Sequence, residues 1–384
     1  MILYGKQNIS AKDIAAVTEI LASSHLTQGN AGLNFEHNLA QQCQAKHAKT
    51  FCNATSALHS ACLALELGTD DIAWTSPISF VASANCAIYC GANIDFVDVE
   101  LQTGNISIVA LTKKLVEAKQ LQKLPKLLIV VHLAGQSCDM ASIAKLSQQY
   151  GFAIIEDASH AIGGSYQSQP IGSCQYSDIT VFSFHPVKII TTGEGGATLT
   201  NSSQLAEKLT LIRSHGITRD PKSMTKESEG DWYYQQVSLG YNYRMTDIQA
   251  ALGNSQLTRL TEFVGKRNQL AQIYDNAFKN SDFKPLAQDN NCYSAYHLYV
   301  IQNIHWSKKE KLIAFNTLRD KGIQVHVHYI PIHLQPYYQA LGFQAGDFPQ
   351  AEQYYQASLT LPLHPEITSD EQQFIIQSVL SLIE

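Results

Sequence analysis

Between Asp71 and Asp157 the spacing of apolar residues switches back and forth. The β-branched runs DIAWTS, NIDFVDV, KLLIVV and FAIIED alternate with SFVASANCAIYC, Leu111 to Lys119 and Ala141 to Tyr150, which repeat at helical intervals. Strands and helices in strict alternation predict a mostly parallel sheet covered by helices on both faces. Upstream, Ser10 and Asp13 cap a pattern of Ile14, Val17 and Leu21 that ends toward Ser23, and the loop SHLTQGNAG follows. A second helical pattern (Phe35, Leu39, Cys43) leads to a short strand around Lys49 to Cys52. Next comes ATSALHSACLALEL, a helix with Leu58, Cys62 and Leu65 on one face.

The stretch from Ser177 to Asn201 breaks this rhythm. A strand signal (Ile179 to Phe182) runs into a turn at Pro186, presents Lys188, crosses the Gly-rich bend GEGG and enters a second strand-like run. SQLAEKLTLIRSHG then reads as a helix. The polar stretch TRDPKSMTKESEGDWYYQQVSLGYNYR has little periodicity, but its Trp232, Tyr233, Tyr234, Tyr241 and Tyr243 favour an ordered, functional loop. One long helix is predicted from Thr246 to about Phe278. Beyond it AYHLYVIQ and IQVHVHY read as strands, SKKEKLIAFNTLRDKG as a helix, and two further helices close the chain. The expected division is a large domain over 1–245, a connecting helix over 246–279 and a smaller α/β domain over 280–384.

Composition narrows the class. Charged residues are 16% of the chain, below the ~25% of an average soluble domain, so part of the surface is expected to be covered by a partner subunit. A net charge of −6 offers no basic footprint, and nucleic acid is not an expected partner. Neither a signal-peptide pattern nor an apolar run of about 20 residues occurs, which predicts a cytoplasmic protein without membrane association. The eight cysteines are scattered without a CxxC pair, as buried reduced thiols would be. His326, His328 and His333 in HVHYIPIH lack a neighbouring carboxylate, so no metal is expected.

Ligands of such sheets collect beyond the carboxyl ends of the strands, where Thr55, Phe80, His132 and Asp157 all fall. Lysine is the side chain that condenses with an aldehyde, and one held in a partly desolvated turn gives up its proton readily. Lys188 is therefore the candidate nucleophile, and pyridoxal 5'-phosphate (PLP) the cofactor that such a lysine serves. Asp157 ends an apolar strand and needs a partner there; the protonated pyridine nitrogen of PLP is one, a salt bridge another. Thr55 and Ser56 open a helix whose N-terminus either binds a phosphate or is merely capped. Phe80 either lies on the cofactor ring or packs in the core. His160 either touches the ring oxygen or substrate or is structural. Ser183 is a candidate phosphate donor. GEGGAT is flanked by strands on both sides, which argues against a dinucleotide loop, and no P-loop motif occurs.

Four stretches, SFHPVKIITTGEGGATLTN, EDASHAIGGSY, ATSALHSACLALEL and GYNYRMTDIQAALG, together resemble the DegT/DnrJ/EryC1/StrS sugar aminotransferase family within the fold type I (aspartate aminotransferase) class. WTSPISFVASANCAIYCGANIDFVDV, HLAGQSCDM, CYSAYHLYV, VHVHYIPIHLQPYY and GDFPQAEQYYQASLTLPLHP resemble the branch that serves pseudaminic acid biosynthesis. The resemblance implies Lys188 as the lysine that binds PLP covalently, Asp157 at the pyridine nitrogen and Phe80 stacked on the ring. It implies Thr55, Ser56 and Ser183 on the phosphate, with Asn242 reaching in from the neighbouring subunit of a homodimer. Its implied substrates are L-glutamate and a UDP-linked 4-keto-6-deoxy-N-acetylhexosamine, with Tyr243, His328 and His333 as expected substrate contacts. Dehydratase relatives carry histidine in place of the lysine, and Lys188 argues against that chemistry. One departure is Ala54, where the family usually has glycine; alanine resists positive φ.

Overall fold

In the computed structural model, which describes residues 1–382, seven strands form one sheet. They are β1 (His47–Phe51), β2 (Ile72–Thr75), β3 (Asn93–Phe96), β4 (Leu127–Val131), β5 (Ala153–Asp157), β6 (Ile179–Ser183) and β7 (Gly196–Thr200). Their order across the sheet is β1-β7-β6-β5-β4-β2-β3, and only β7 runs against the rest. Along β4, Leu127 and Ile129 join the core on one face while Leu128 and Val130 join the core on the other. A strand with both faces buried must be apolar throughout, which is why KLLIVV reads as a continuous run.

Of the helices α1 (Ala11–Leu21), α2 (Asn30–Cys43), α3 (Ala54–Ala64), α4 (Ala82–Tyr89), α5 (Ile108–Gln120), α6 (Met140–Tyr150) and α7 (Ser203–Ile212), α2 to α7 cover this sheet, while α1 lies apart from it with Ile14 and Leu21 exposed. The long helix expected from Thr246 is two helices, α8 (Asp247–Leu257) and α9 (Leu260–Phe278). The Thr258 hydroxyl donates to the Ser255 carbonyl at 2.7 Å, and Arg259 sits at φ −106°, ψ 6°, which ends the first helical path. Small residues of α8, among them Ala250 and Gly253, let it lie against α1 and α2, so this half of the segment belongs with the large sheet.

Beyond α9, Lys284–Pro285, Tyr299–Gln302 and Ser358–Leu361 form a second, antiparallel sheet. Its strand Ser358–Leu361 is not among the elements expected from the sequence, because a run of four residues carries too little period. The expected strand IQVHVHY is absent as a regular element. Ile323 and Val325 are buried as the alternation predicts, yet the segment pairs only at Ile323 with Ile2 and at His326 with Thr360. The N-terminus occupies the place of a neighbouring strand: Ile2 accepts from Gln324 N–H at 2.8 Å, and Tyr4 accepts from Leu363 N–H at 3.0 Å. No helix among the described residues is long and apolar enough to cross a membrane.

Candidate active site

The carboxyl ends of β1, β2, β5 and β6 open onto a cavity of about 520 Å³, large enough for a cofactor-sized ligand. Asn53, Thr55, Phe80, Asp157, His160, Ser183 and Lys188 line it on the sheet side, and His328 and Tyr329 face them from the second unit. Tyr4, carried there by the N-terminal segment, closes one edge.

Lys188 follows β6 in the turn after Pro186. Its backbone N–H donates to the His185 carbonyl at 2.8 Å, and its half-buried side chain makes no hydrogen bond or ion pair among the described residues. Desolvation pushes its ammonium down to about 8, while the nearby Asp157 charge pulls the other way. A lysine in this state supplies a free amine near neutral pH.

Asp157 ends β5. Its Oδ2 accepts from the Ser83 hydroxyl at 2.6 Å and its Oδ1 from the Ser159 hydroxyl at 2.6 Å. It makes no ion pair among the described residues, so the floor of the cavity offers a carboxylate held by neutral donors alone. His160 accepts at Nδ1 from Ala134 N–H at 3.3 Å, so its proton is on Nε2, 3.1 Å from the Tyr329 hydroxyl. Burial first, then the charges of Lys188 and His328, hold His160 well below the usual histidine range.

The amino end of α3 is built differently from expectation. Asn53, extended at φ −165°, is the N-cap, and its Oδ1 accepts from Ser56 N–H at 2.8 Å. The Ser56 hydroxyl donates back to the Asn53 carbonyl at 2.7 Å and does not line the cavity. Ala54 starts the helix without positive φ, so the turn makes no demand that alanine cannot meet. The glycine requirement lies across the sheet instead. A Cβ on Gly196 would stand 2.7 Å from Ala54 Cα and 2.7 Å from Asn53 C, so the last glycine of GEGG is what lets β7 approach the amino end of α3. Gly196→Ala is expected to cost about 1–3 kcal/mol by overpacking and to weaken cofactor binding, since it displaces the N–H groups of that end. A wild-type melting temperature with unchanged PLP affinity would contradict this.

Several expected residues lie elsewhere. His132 is fully buried with Nε2 2.7 Å from Glu156 Oε2, on the sheet face opposite the cavity wall formed by Asp157. His333 is fully buried with Nε2 3.0 Å from Glu352 Oε1 and does not reach the cavity. Tyr243 stacks on Tyr241 with ring centroids 4.8 Å apart and places its hydroxyl 3.2 Å from His59 Nδ1, outside the cavity. Asn242 is exposed and outside this chain's own cavity. Residues not anticipated are Asn53, Ser83, Ser159, Tyr4 and Tyr329; only Asn53, a good N-cap type directly before a helical run, carried a signal in the sequence.

The residues fit PLP on several counts. An unpartnered, desolvated lysine stands over an anionic floor, a helix amino end with Thr55 and Ser183 offers donors to a phosphate, and Gly196 leaves room beside it. A mostly parallel α/β fold with this site defines a PLP-dependent aminotransferase. The chain belongs to the DegT/DnrJ/EryC1/StrS aminotransferase family, which it matches over residues 7–380. It is 37% identical to the UDP-4-amino-4,6-dideoxy-N-acetyl-beta-L-altrosamine transaminase of Campylobacter jejuni, covering 100% of this chain and 98% of the relative. It is 36% identical to the spore coat polysaccharide biosynthesis protein SpsC of Bacillus subtilis, covering 99% and 97%. Among solved structures it superimposes on Helicobacter pylori PseC, an aminotransferase involved in the biosynthesis of pseudoaminic acid. The TM-score is 0.91 at 35% identity, covering 99% of this chain and 98% of that one. The protein is a PLP-dependent sugar aminotransferase.

Proposed function

We propose that the protein transfers an amino group from L-glutamate to C4 of a UDP-linked 4-keto-6-deoxy-N-acetylhexosamine, forming UDP-4-amino-4,6-dideoxy-N-acetyl-β-L-altrosamine for pseudaminic acid synthesis. The observation that carries the chemistry is the juxtaposition of Lys188, with its proton held to about 8, and Asp157 at the floor of one cavity. The likeness to the Campylobacter enzyme over the full chain supports the choice of sugar.

PLP, when bound, supplies the electron sink that makes a proton on the carbon bearing the nitrogen removable. Lys188 holds the cofactor until the amino donor displaces it. Its released amine would carry the proton from the donor carbon to the cofactor carbon, and in the second half-reaction would carry one the other way, from the cofactor carbon to C4 of the sugar. Asp157 would meet the ring nitrogen and its proton, Phe80 would cover the ring face, and His160, its Nε2–H donated to the Tyr329 hydroxyl, would touch the ring oxygen or substrate from the same wall. Thr55, Ser183 and the amino end of α3 hold the phosphate, and His328 contacts substrate. Ser56 supports that end through Asn53.

The enzyme works as a cytoplasmic homodimer in which the partner subunit's Asn242 completes the phosphate site. The exposure of Asn242 outside its own cavity supports this arrangement. We read the large domain as 1–245 with α8 packed onto it, and the small domain as 280–384, with α9 as the connecting helix.

Incubating the holoenzyme with L-glutamate and a panel of UDP-linked 4-keto-6-deoxy-N-acetylhexosamines tests the reading. We expect 2-oxoglutarate and a 4-amino sugar in equal amounts, with the altrosamine precursor preferred by about tenfold or more, the scale on which sites reject wrongly placed hydroxyls. Equal turnover of every sugar, or preference for another configuration, would assign a different sugar. The likeness to the spore coat protein makes that the outcome to compare. Release of no 2-oxoglutarate would leave a PLP-retaining protein without transaminase activity.

A further inference from the structure

Among the described residues, every group hydrogen-bonded to the Asp157 side chain is a neutral donor. The Ser83 hydroxyl, on α4, reaches Oδ2 at 2.6 Å, and Ser159 reaches Oδ1 with its hydroxyl at 2.6 Å and its N–H at 3.2 Å. An ionised carboxylate only accepts, so the Ser83 proton is committed to Asp157. Ser83 Oγ must then accept from Ser79, whose Oγ lies 2.6 Å away and which lines the cavity. This fixes the direction of a chain of hydroxyls from Ser79 through Ser83 to Asp157. Its three members are nearly inaccessible, at 4%, 1% and 6% exposure.

A serine buried on a helix between apolar neighbours ordinarily returns its hydroxyl to a backbone carbonyl of its own helix. Ser83 instead crosses to a carboxylate 74 positions away in the sequence, on a different element. With Ser159 on the second oxygen, both ends of the carboxylate are gripped from two sides. Rotation about its side-chain bonds is restrained, and only the cavity side is open to another partner.

We propose that Ser83 and Ser159 are positioning residues for transamination: they hold the Asp157 carboxylate turned into the cavity, where it meets a cofactor ring nitrogen and its proton. This rests on the reading of Asp157 as the partner of that nitrogen. Without these two donors the carboxylate is free to turn away from the cavity, which misdirects its contact with the ring nitrogen. Ser79 acts one step further out, by orienting the Ser83 hydroxyl.

The test uses the full-length holoenzyme with PLP labelled at the ring nitrogen with ¹⁵N. PLP affinity is measured by equilibrium dialysis and the ring-nitrogen resonance by NMR. Ser83→Ala is expected to weaken PLP binding by about tenfold, the effect of one hydrogen bond to a charged group, and to move the resonance toward its unprotonated position. Ser159→Ala is expected to do the same, and Ser159→Thr, which keeps the hydroxyl, to restore both readouts. In an Asp157→Asn background Ser83→Ala should have no further effect, because the interaction it serves is already gone. Wild-type affinity and resonance in Ser83→Ala and in Ser159→Ala would overturn the proposal. So would an equal loss of affinity in the Asp157→Asn background, which would reduce Ser83 to packing. A wild-type protein that takes up no PLP would overturn the reading of the cavity itself, and this proposal with it.

Discussion

Lys188→Ala is expected to lower turnover by about 10⁴-fold or more, since it removes both the covalent hold on the cofactor and the group that moves the proton. No neighbour can replace it. His160 and His328 line the same cavity, but burial holds both well below the usual histidine range, so neither carries a proton to deliver at neutral pH, and an imidazole cannot condense with an aldehyde as an amine does. Borohydride should fix the cofactor covalently to the wild-type chain and leave it dialysable from the variant. PLP uptake by the cofactor-free wild-type chain should quicken with pH through about 8, because the neutral amine is the form that condenses with the aldehyde. Lys188→Arg should be as inactive as alanine, since guanidinium keeps its proton throughout that range.

The same shift has a stability signature. The folded chain lets go of the lysine proton near 8 and an unfolded chain near 10.4, so between these values the unfolded state binds more protons and the stability of the cofactor-free protein rises with pH. Denaturant titrations of the cofactor-free forms should show that slope in the wild type and its loss in Lys188→Ala, which is no less stable at neutral pH. Covalent trapping of PLP by the alanine variant would sink the assignment of Lys188.

What the sequence disclosed and what it hid follow from the range of the interactions involved. The Lys188 turn, the apolar strand ending at Asp157 and the alternation of β2 to β5 are local signals, set by period and by turn chemistry. His132 and Asp157 both sit at strand ends, yet they face different partners. Side chains alternate along a strand, so Glu156 points away from the cavity and draws His132 after it, whereas Asp157 points in. Proximity to a strand end in the sequence does not say which way a side chain turns. His333 has the same fault: the spacing of HVHYIPIH is no guide once the chain leaves an extended path, and Glu352, from the helix Pro349–Ala357, claims it. Tyr329 meets His160 from 169 positions away, and Ser83 meets Asp157 across the cavity wall. Pairs of that kind depend on how elements distant in the sequence pack, for which one sequence carries no pattern. Ala54 shows the reverse error, where the doubt fell on the residue that the turn tolerates while the steric demand rested on Gly196.

Asp157→Asn is expected to cost about 10²- to 10⁴-fold in turnover, which corresponds to the roughly 3–5 kcal/mol lost when one member of a buried charge pair is removed. The fold should survive the change. Asparagine has nearly the same shape, its oxygen can accept from one of the two serines, and the other hydroxyl can rotate to accept from the amide. What disappears is the negative charge that keeps the ring nitrogen protonated. Asp157 also raises the Lys188 ammonium against the desolvation that lowers it, so removing the charge should move the acid limb of PLP uptake by the cofactor-free chain below its wild-type position near 8. The two effects separate the role of Asp157 from that of Lys188: the asparagine variant remains trappable by borohydride and retains a displaced pH limb, whereas Lys188→Ala loses both. Asp157→Glu keeps the charge but lengthens the side chain within a grip built by Ser83 and Ser159 for a shorter one. It should retain the wild-type limb while losing rate through misplacement. An asparagine variant with wild-type turnover and an unmoved limb would show that the carboxylate faces neither the cofactor nitrogen nor the lysine during the reaction.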